Sequence, residues 1–139
     1  MKKSIIAIAA ILVSMNTISA QKVKEAAVPT VVKDGFKKSF PTAKVEGWEK
    51  EGVNFEAEFD LNKVETSALF DGAGTLIETE TEIAITALPK TVTDYLAKNH
   101  KGEKIKEAAK ITEANGKIKY EAEIKGKDLL FDENGTLLK

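Results

Sequence analysis

Hydrophobic and polar positions along this chain alternate with two different periods, and the two periods take turns. Val28, Val31, Val32, Phe36 and Phe40 recur at spacings of three and four, which predicts an amphipathic helix over 28–40. Pro29 suits its first turn, Gly35 weakens it by about 1 kcal/mol relative to Ala, and Pro41 ends it. The period then drops to two. Ala43 to Lys50 reads as a strand, and Val53, Phe55, Ala57 and Phe59 alternate with Asn54, Glu56, Glu58 and Asp60, so one face is buried and one is wet. After a turn at Asn62-Lys63, Val64 to Phe70 continues as a strand. Asp71-Gly72-Ala73-Gly74 turns again, and Thr75 to Ile85 makes a long last strand. Its alternation sets Leu76, Glu78, Glu80 and Glu82 against Ile77, Thr79, Thr81, Ile83 and Ile85.

The same order then repeats. Leu88, Val92, Tyr95 and Leu96 carry a second helical stripe behind Pro89. Lys104 to Thr112, Ile118 to Lys125 and Asp128 to Phe131 follow as strands, with turns at Asn115-Gly116 and Gly126-Lys127 and a short returning edge from Thr136 to Lys139. Val28-Pro29 and Leu88-Pro89 lie 60 positions apart, and Phe70-Asp71 and Phe131-Asp132 lie 61 apart. The chain is therefore expected to be α+β: two tandem repeats of a helix and an antiparallel sheet, 28–87 and 88–139. Each helix covers one sheet face, because neither element can bury its apolar stripe alone, and the other face stays open.

The first 20 residues follow different rules. Lys2 and Lys3 precede a nine-residue apolar run from Ile5 to Val13, and Ile18-Ser19-Ala20 offers a cleavage site after Ala20. The run is too short to cross a bilayer, so 1–20 is expected to be a cleaved signal peptide and 21–27 a flexible leader. There is no Cys, which rules out lipid attachment at a lipoprotein cysteine, disulfides and thiolate metal sites. The expected address is the periplasm or cell exterior, with no membrane contact after cleavage. Of 139 residues, 21 are basic and 22 acidic, and every basic residue is Lys. Without an arginine fork for phosphate or guanine, and with an acid excess, nucleic acid is not an expected partner.

Val28-Pro29, Phe36, Phe40-Pro41-Thr42-Ala43-Lys44, Trp48, Phe55-Glu56-Ala57-Glu58-Phe59, Phe70-Asp71-x-x-Gly74, Leu88-Pro89 and Leu130-Phe131-Asp132-x-x-Gly135 together resemble the beta-lactamase-inhibitor-like, PepSY-like family of secreted bacterial proteins. The resemblance spans nearly all of the chain after Ala20. It implies tandem helix-plus-sheet units and an exported protein, and it transfers no catalytic residues. One departure stands out: His100-Lys101 occupies the place of Phe40-Pro41.

Glutamate carries the candidate chemistry. If strand parity holds, Glu56 and Glu58 share a face with Glu78, Glu80 and Glu82, a surface able to attract a basic partner or a cation. The same residues also read as a solvated strand face that resists aggregation. Trp48, the single tryptophan, is either an interface anchor or a core residue. His100, the single histidine, reads as a helix-end residue, and with no second ligand nearby no metal site is expected. Asp71-Gly72-Ala73-Gly74 and Asp132-Glu133-Asn134-Gly135 read as hairpin turns, since a calcium loop needs six or more oxygens. Ser39, Ser67 and His100 supply triad residue types, yet no serine sits on a strained nucleophile turn. The expected function is a non-enzymatic module, without cofactor, that binds an exported protein or peptide through Trp48, Glu56, Glu58, Glu78, Glu80 and Glu82. Binding of a small ligand or cation is the alternative.

Overall fold

The computed structural model describes residues 20–138. The expected signal peptide lies outside the described residues apart from Ala20. The chain divides into two compact units, Met1–Thr79 and Glu80–Lys139.

In the first unit, β1 (Gln21–Val23), β2 (Val45–Glu51), β3 (Asn54–Leu61) and β4 (Val64–Phe70) pair antiparallel in chain order, and α1 (Thr30–Ser39) crosses between β1 and β2 in sequence. Strand β5 (Leu76–Glu82) follows the Asp71–Gly74 turn and runs across the division between units. Gln21–Val23 was expected within a flexible leader and is instead an edge strand on β2. Main-chain pairing needs no apolar side chains, and Val23 adds packing against the core. Glu25–Ala27 forms a 3-10 turn, and its counterpart is Ile85–Ala87 in the second unit.

Helix α1 has no side-chain cap. Pro29 precedes its first turn, and its carbonyl accepts from both the Val32 and Lys33 N–H groups. The helix is held from its inner face. Val32 and Phe36 are buried, while Val31, expected in the stripe, is half exposed at 49% because it flanks rather than faces the sheet. Phe36 is the hub of the core: its ring meets Trp48, Phe59 and Phe70 edge-on, with centroids 6.0, 5.0 and 6.3 Å away. Gly35, a poor helix former, is explained by contact. A Cβ there would sit 2.1 Å from the Gly74 carbonyl oxygen, so the β4–β5 turn nests against the helix only because Gly35 has no side chain.

The β2–β3 register slips between Val45 and Gly47. That bulge at Glu46 lets Val45 and Trp48, three residues apart, both pack into the helix-side core. The Asn62-Lys63 turn has both residues at positive φ, as a type I′ hairpin turn requires. Val53, expected in the buried alternation, lies instead in the β2–β3 turn and is exposed.

The second unit repeats the plan: α2 (Lys90–Asn99), then β6 (Ile105–Glu113), β7 (Ile118–Ile124) and β8 (Lys127–Asp132), paired antiparallel in order. Its bulge falls at the matching place, between Ile105 and Glu107. Leu88, Val92, Leu96, Ala108, Ala122, Ile124 and Phe131 form its core. The C-terminal return shrinks to one bridge, Phe131 to Leu137. Both units thus show the α+β architecture expected of tandem helix-plus-sheet repeats.

Candidate functional site

The α1 side of the first sheet is occupied by its core, so the opposite side is the candidate. Strand β3 sends Phe55, Ala57 and Phe59 into the core, and alternation sends Glu56 and Glu58 the other way. Register then sets the neighbours. Glu56 stands opposite Glu49 on β2 and Leu69 on β4, while Glu58 stands opposite Gly47 and Ser67. Glu51, two residues beyond Glu49, completes the row. Gly47 leaves room for the Glu58 carboxylate, whose Oε2 would lie 2.9 Å from a Cβ built there.

This face is less wet than alternation implies. Glu49, Glu51, Glu56 and Ser67 are 7, 5, 1 and 6% exposed, while Glu58 is only half buried. Burial pushes the Glu56 carboxyl up to about 9; the nearby Ser67 hydroxyl offsets this in part, and the charges of Glu51 and Glu49 add to it. Burial also raises Glu51, with Glu49 and Glu78 reinforcing the shift by repulsion and a hydrogen bond with Glu56 opposing it. Glu56 therefore holds its proton at neutral pH. The two glutamates each leave an oxygen, Glu51 Oε2 and Glu56 Oε1, buried and without a hydrogen-bond partner. Ser67 Oγ, close enough to Glu56 to ease its ionisation, does not reach hydrogen-bonding geometry with it. A small depression lined by Glu58, Glu65, Thr66 and Ser67, with room for about one water, lies beside the cluster.

Of the residues expected to form a contact surface, Glu56 and Glu58 share this face, and Glu78 lies within electrostatic reach of Glu51. Trp48 does not join them. It is 5% exposed within the α1 core, because the bulge before it turns its side chain toward Phe36, and this corrects its assignment to the contact surface. Glu80 and Glu82 fall in the second unit, the first buried and the second exposed. One alternation along β5 does not assign faces, since Leu76 and Ile83, of opposite parity, each pack into their own unit's core. Glu49 and Glu51 went unrecognised from sequence. Their signal was available in the alternation Glu49-Lys50-Glu51 beside Trp48, but using it requires the cross-strand register.

The remaining candidates are structural. The His100 N–H closes α2 by donating to the Leu96 carbonyl, and its Nδ1 lies 3.2 Å from Glu103 Oε2. Asp71 Oδ1 accepts the Ala73 and Thr75 N–H groups at 2.9 Å, and Asp132 Oδ1 accepts those of Asn134 and Thr136 at 2.9 and 2.8 Å. Both loops are hairpin turns locked by an aspartate. Among the described residues no group of three or more His, Cys, Asp or Glu is arranged to hold a metal ion.

Two overlapping segments, residues 15–78 and 53–139, match the PepSY-like family, whose description is beta-lactamase-inhibitor-like. The chain belongs to the PepSY-like family. The two matched segments echo the internal duplication. A crystal structure of a protein described as periplasmic from Bacteroides eggerthii is similar at TM-score 0.71 and 19% identity, covering 81% of this chain and 86% of that one, a likeness of fold alone. A BLIP-like protein from Bacteroides fragilis is similar at TM-score 0.63 and 25% identity, covering 80% of this chain and 83% of that one. None of the curated proteins matches the chain. No helix among the described residues is long and apolar enough to cross a membrane.

Proposed function

We propose that this PepSY-like protein is an exported, non-catalytic binding module of the bacterial periplasm or exterior, which engages another exported protein or peptide through the first unit's sheet face away from α1. The observation that carries this reading is the gathering of Glu49, Glu51, Glu56 and Glu58 on that face, with Glu58 partly exposed and two of the others holding buried oxygens that no group among the described residues satisfies. Buried polar atoms are nearly always hydrogen-bonded, so unsatisfied carboxyl oxygens beneath this face are a cost the fold carries without a structural return. The inhibitor-like description of the family and of its Bacteroides fragilis neighbour supports steric occlusion of a partner over chemistry on it. The neighbouring depression supports the same reading, since it has room for about one water and not for a small-molecule ligand.

The test is affinity capture from periplasmic extract with the native protein beside a Glu58→Lys/Glu78→Lys variant of confirmed fold. A protein captured by the native form and lost by the variant supports the reading. Capture that is identical for the two overturns it. The alternative is a small ligand or cation bound in the envelope; calorimetric titration with calcium chloride, giving saturable heat without any protein partner, would establish that instead.

A further inference from the structure

From the place of Gln21 in the fold, we propose that the exported protein begins at Gln21 and that this residue is cyclised to pyroglutamate, a modification that seals the open end of the first sheet's edge strand. The modified end stands apart from the acidic face, so each can fail without the other.

Two observations place the cut. The basic and apolar segments of 1–20 run out at Ile18-Ser19-Ala20, with the small side chain of Ala20 on the signal side. Past that bond the fold starts at once. Strand β1 begins at Gln21, and its residues pair with β2 in register: Gln21 opposite Lys50, Lys22 opposite Glu49 and Val23 opposite Trp48. A cut further along would remove residues from that register, and ultimately Val23, which packs against the core. Cleavage after Ala20 leaves the strand whole and turns its first residue into a glutamine with a free α-amine.

Such a glutamine carries its own electrophile, because its side-chain amide carbon is one five-membered ring away from the α-nitrogen. The neutral amine attacks Cδ, the N–Cδ bond forms, the Cδ–Nε2 bond breaks, and ammonia leaves with a proton taken from the amine. No oxidant or second reactant enters. Gln21 is exposed, and its side chain makes no hydrogen bond among the described residues, so nothing in the fold holds the amide back.

Charge ties the ring to the strand. Lys22 and Lys24 follow Gln21 along the chain, and Lys50 stands opposite it on β2. An α-ammonium at Gln21 would be one more positive charge among three, and like charges directly opposite weaken strand pairing. Strand β1 has little to set against that repulsion, since Val23 alone of its side chains packs against the core. The lactam removes the terminal charge and still offers an N–H. It also leaves an aminopeptidase no amine to grip.

The test is mass spectrometry of the mature protein taken from the envelope of the bacterium that makes it, beside the same chain carrying Gln21→Asn, which would have to close a four-membered ring. Gln21→Ala, with no amide at all, is the second control. The expected native N-terminal peptide starts at Gln21, is lighter by one ammonia, resists a general aminopeptidase and is opened by pyroglutamyl aminopeptidase. Both variants are expected to start with a free amine. Hydrogen exchange at the β1 amides is expected to be severalfold faster in the variants than in the native protein, with the β7 amides unchanged. A mature chain that begins elsewhere, or at Gln21 with a free amine, would overturn the inference. Equal β1 exchange in native protein and variants would overturn the link between the ring and the strand.

Discussion

At the residue scale, three side chains show how far environment outweighs type. Gly35 sits inside a helix, where alanine is normally better by about 1 kcal/mol. Here a methyl group would meet the Gly74 carbonyl at 2.1 Å. Gly35→Ala is therefore expected to destabilise the protein by about 1–3 kcal/mol, since backbone must move to admit it, and urea unfolding measures the sign directly. Trp48 is core, so Trp48→Ala is expected to cost about 3–5 kcal/mol, and the native protein's single-tryptophan emission will be blue-shifted, moving to the red on unfolding. Glu56 works in the opposite sense from an ordinary carboxylate. Its folded value of about 9 lies above its unfolded 4.5, so the folded state binds the extra proton across that window. The stability linked to that proton is fully present below about pH 4.5 and is lost as the pH rises through about 9. Melting temperature is expected to fall from pH 5 to pH 9, and Glu56→Gln to flatten the slope. A native profile without that decline would show that Glu56 ionises freely.

Elements were legible where one period governed a whole segment. Both helices, the β3 alternation and the two aspartate turns follow from spacing and turn chemistry, because local bonds decide them. What escaped sequence reading was set by register. A single bulged residue at Glu46 reverses parity, sending Trp48 inward, and only its cross-strand neighbours bring Glu49 to Glu56. Strand β1 was missed because Gln21-Lys22-Val23 carries too little pattern, its pairing being wholly main-chain. The turns give the element-scale prediction. Thr75 and Ala73 N–H groups hold the Asp71 carboxyl below the usual carboxylate range, and those of Thr136 and Asn134 do the same for Asp132. A depressed folded pKa confers stability above about pH 4 that is lost as acid protonates the turn. Asp71→Ala and Asp132→Ala should each lower stability at pH 7 and have little effect near pH 2, as paired thermal melts would show.

For the whole molecule, duplication explains the plan and divergence explains the site. The burial patterns of 28–49 and 88–109 coincide residue for residue, so both copies solve the same packing problem. The face away from the helix was free to differ. Where the first copy has Glu49 and Glu51, positions 60 residues on hold Ala109 and Ile111. Glu121, buried opposite Ala109, keeps the place of Glu56, so what the first copy adds is Glu49 and Glu51 beside it. Crowding a buried glutamate with further carboxyls that the second copy does without is a sign of selection for something other than stability. Giving the first unit the second unit's residues, as Glu49→Ala/Glu51→Ile, should leave the fold intact and remove the repulsion on Glu56. The melting temperature is then expected to rise most at pH 8–9, where the native cluster is most strained, and to change little at pH 5. A variant less stable than native at pH 9 would mean that the carboxyl row is structural, and the case for a site grafted onto one repeat would fail with it.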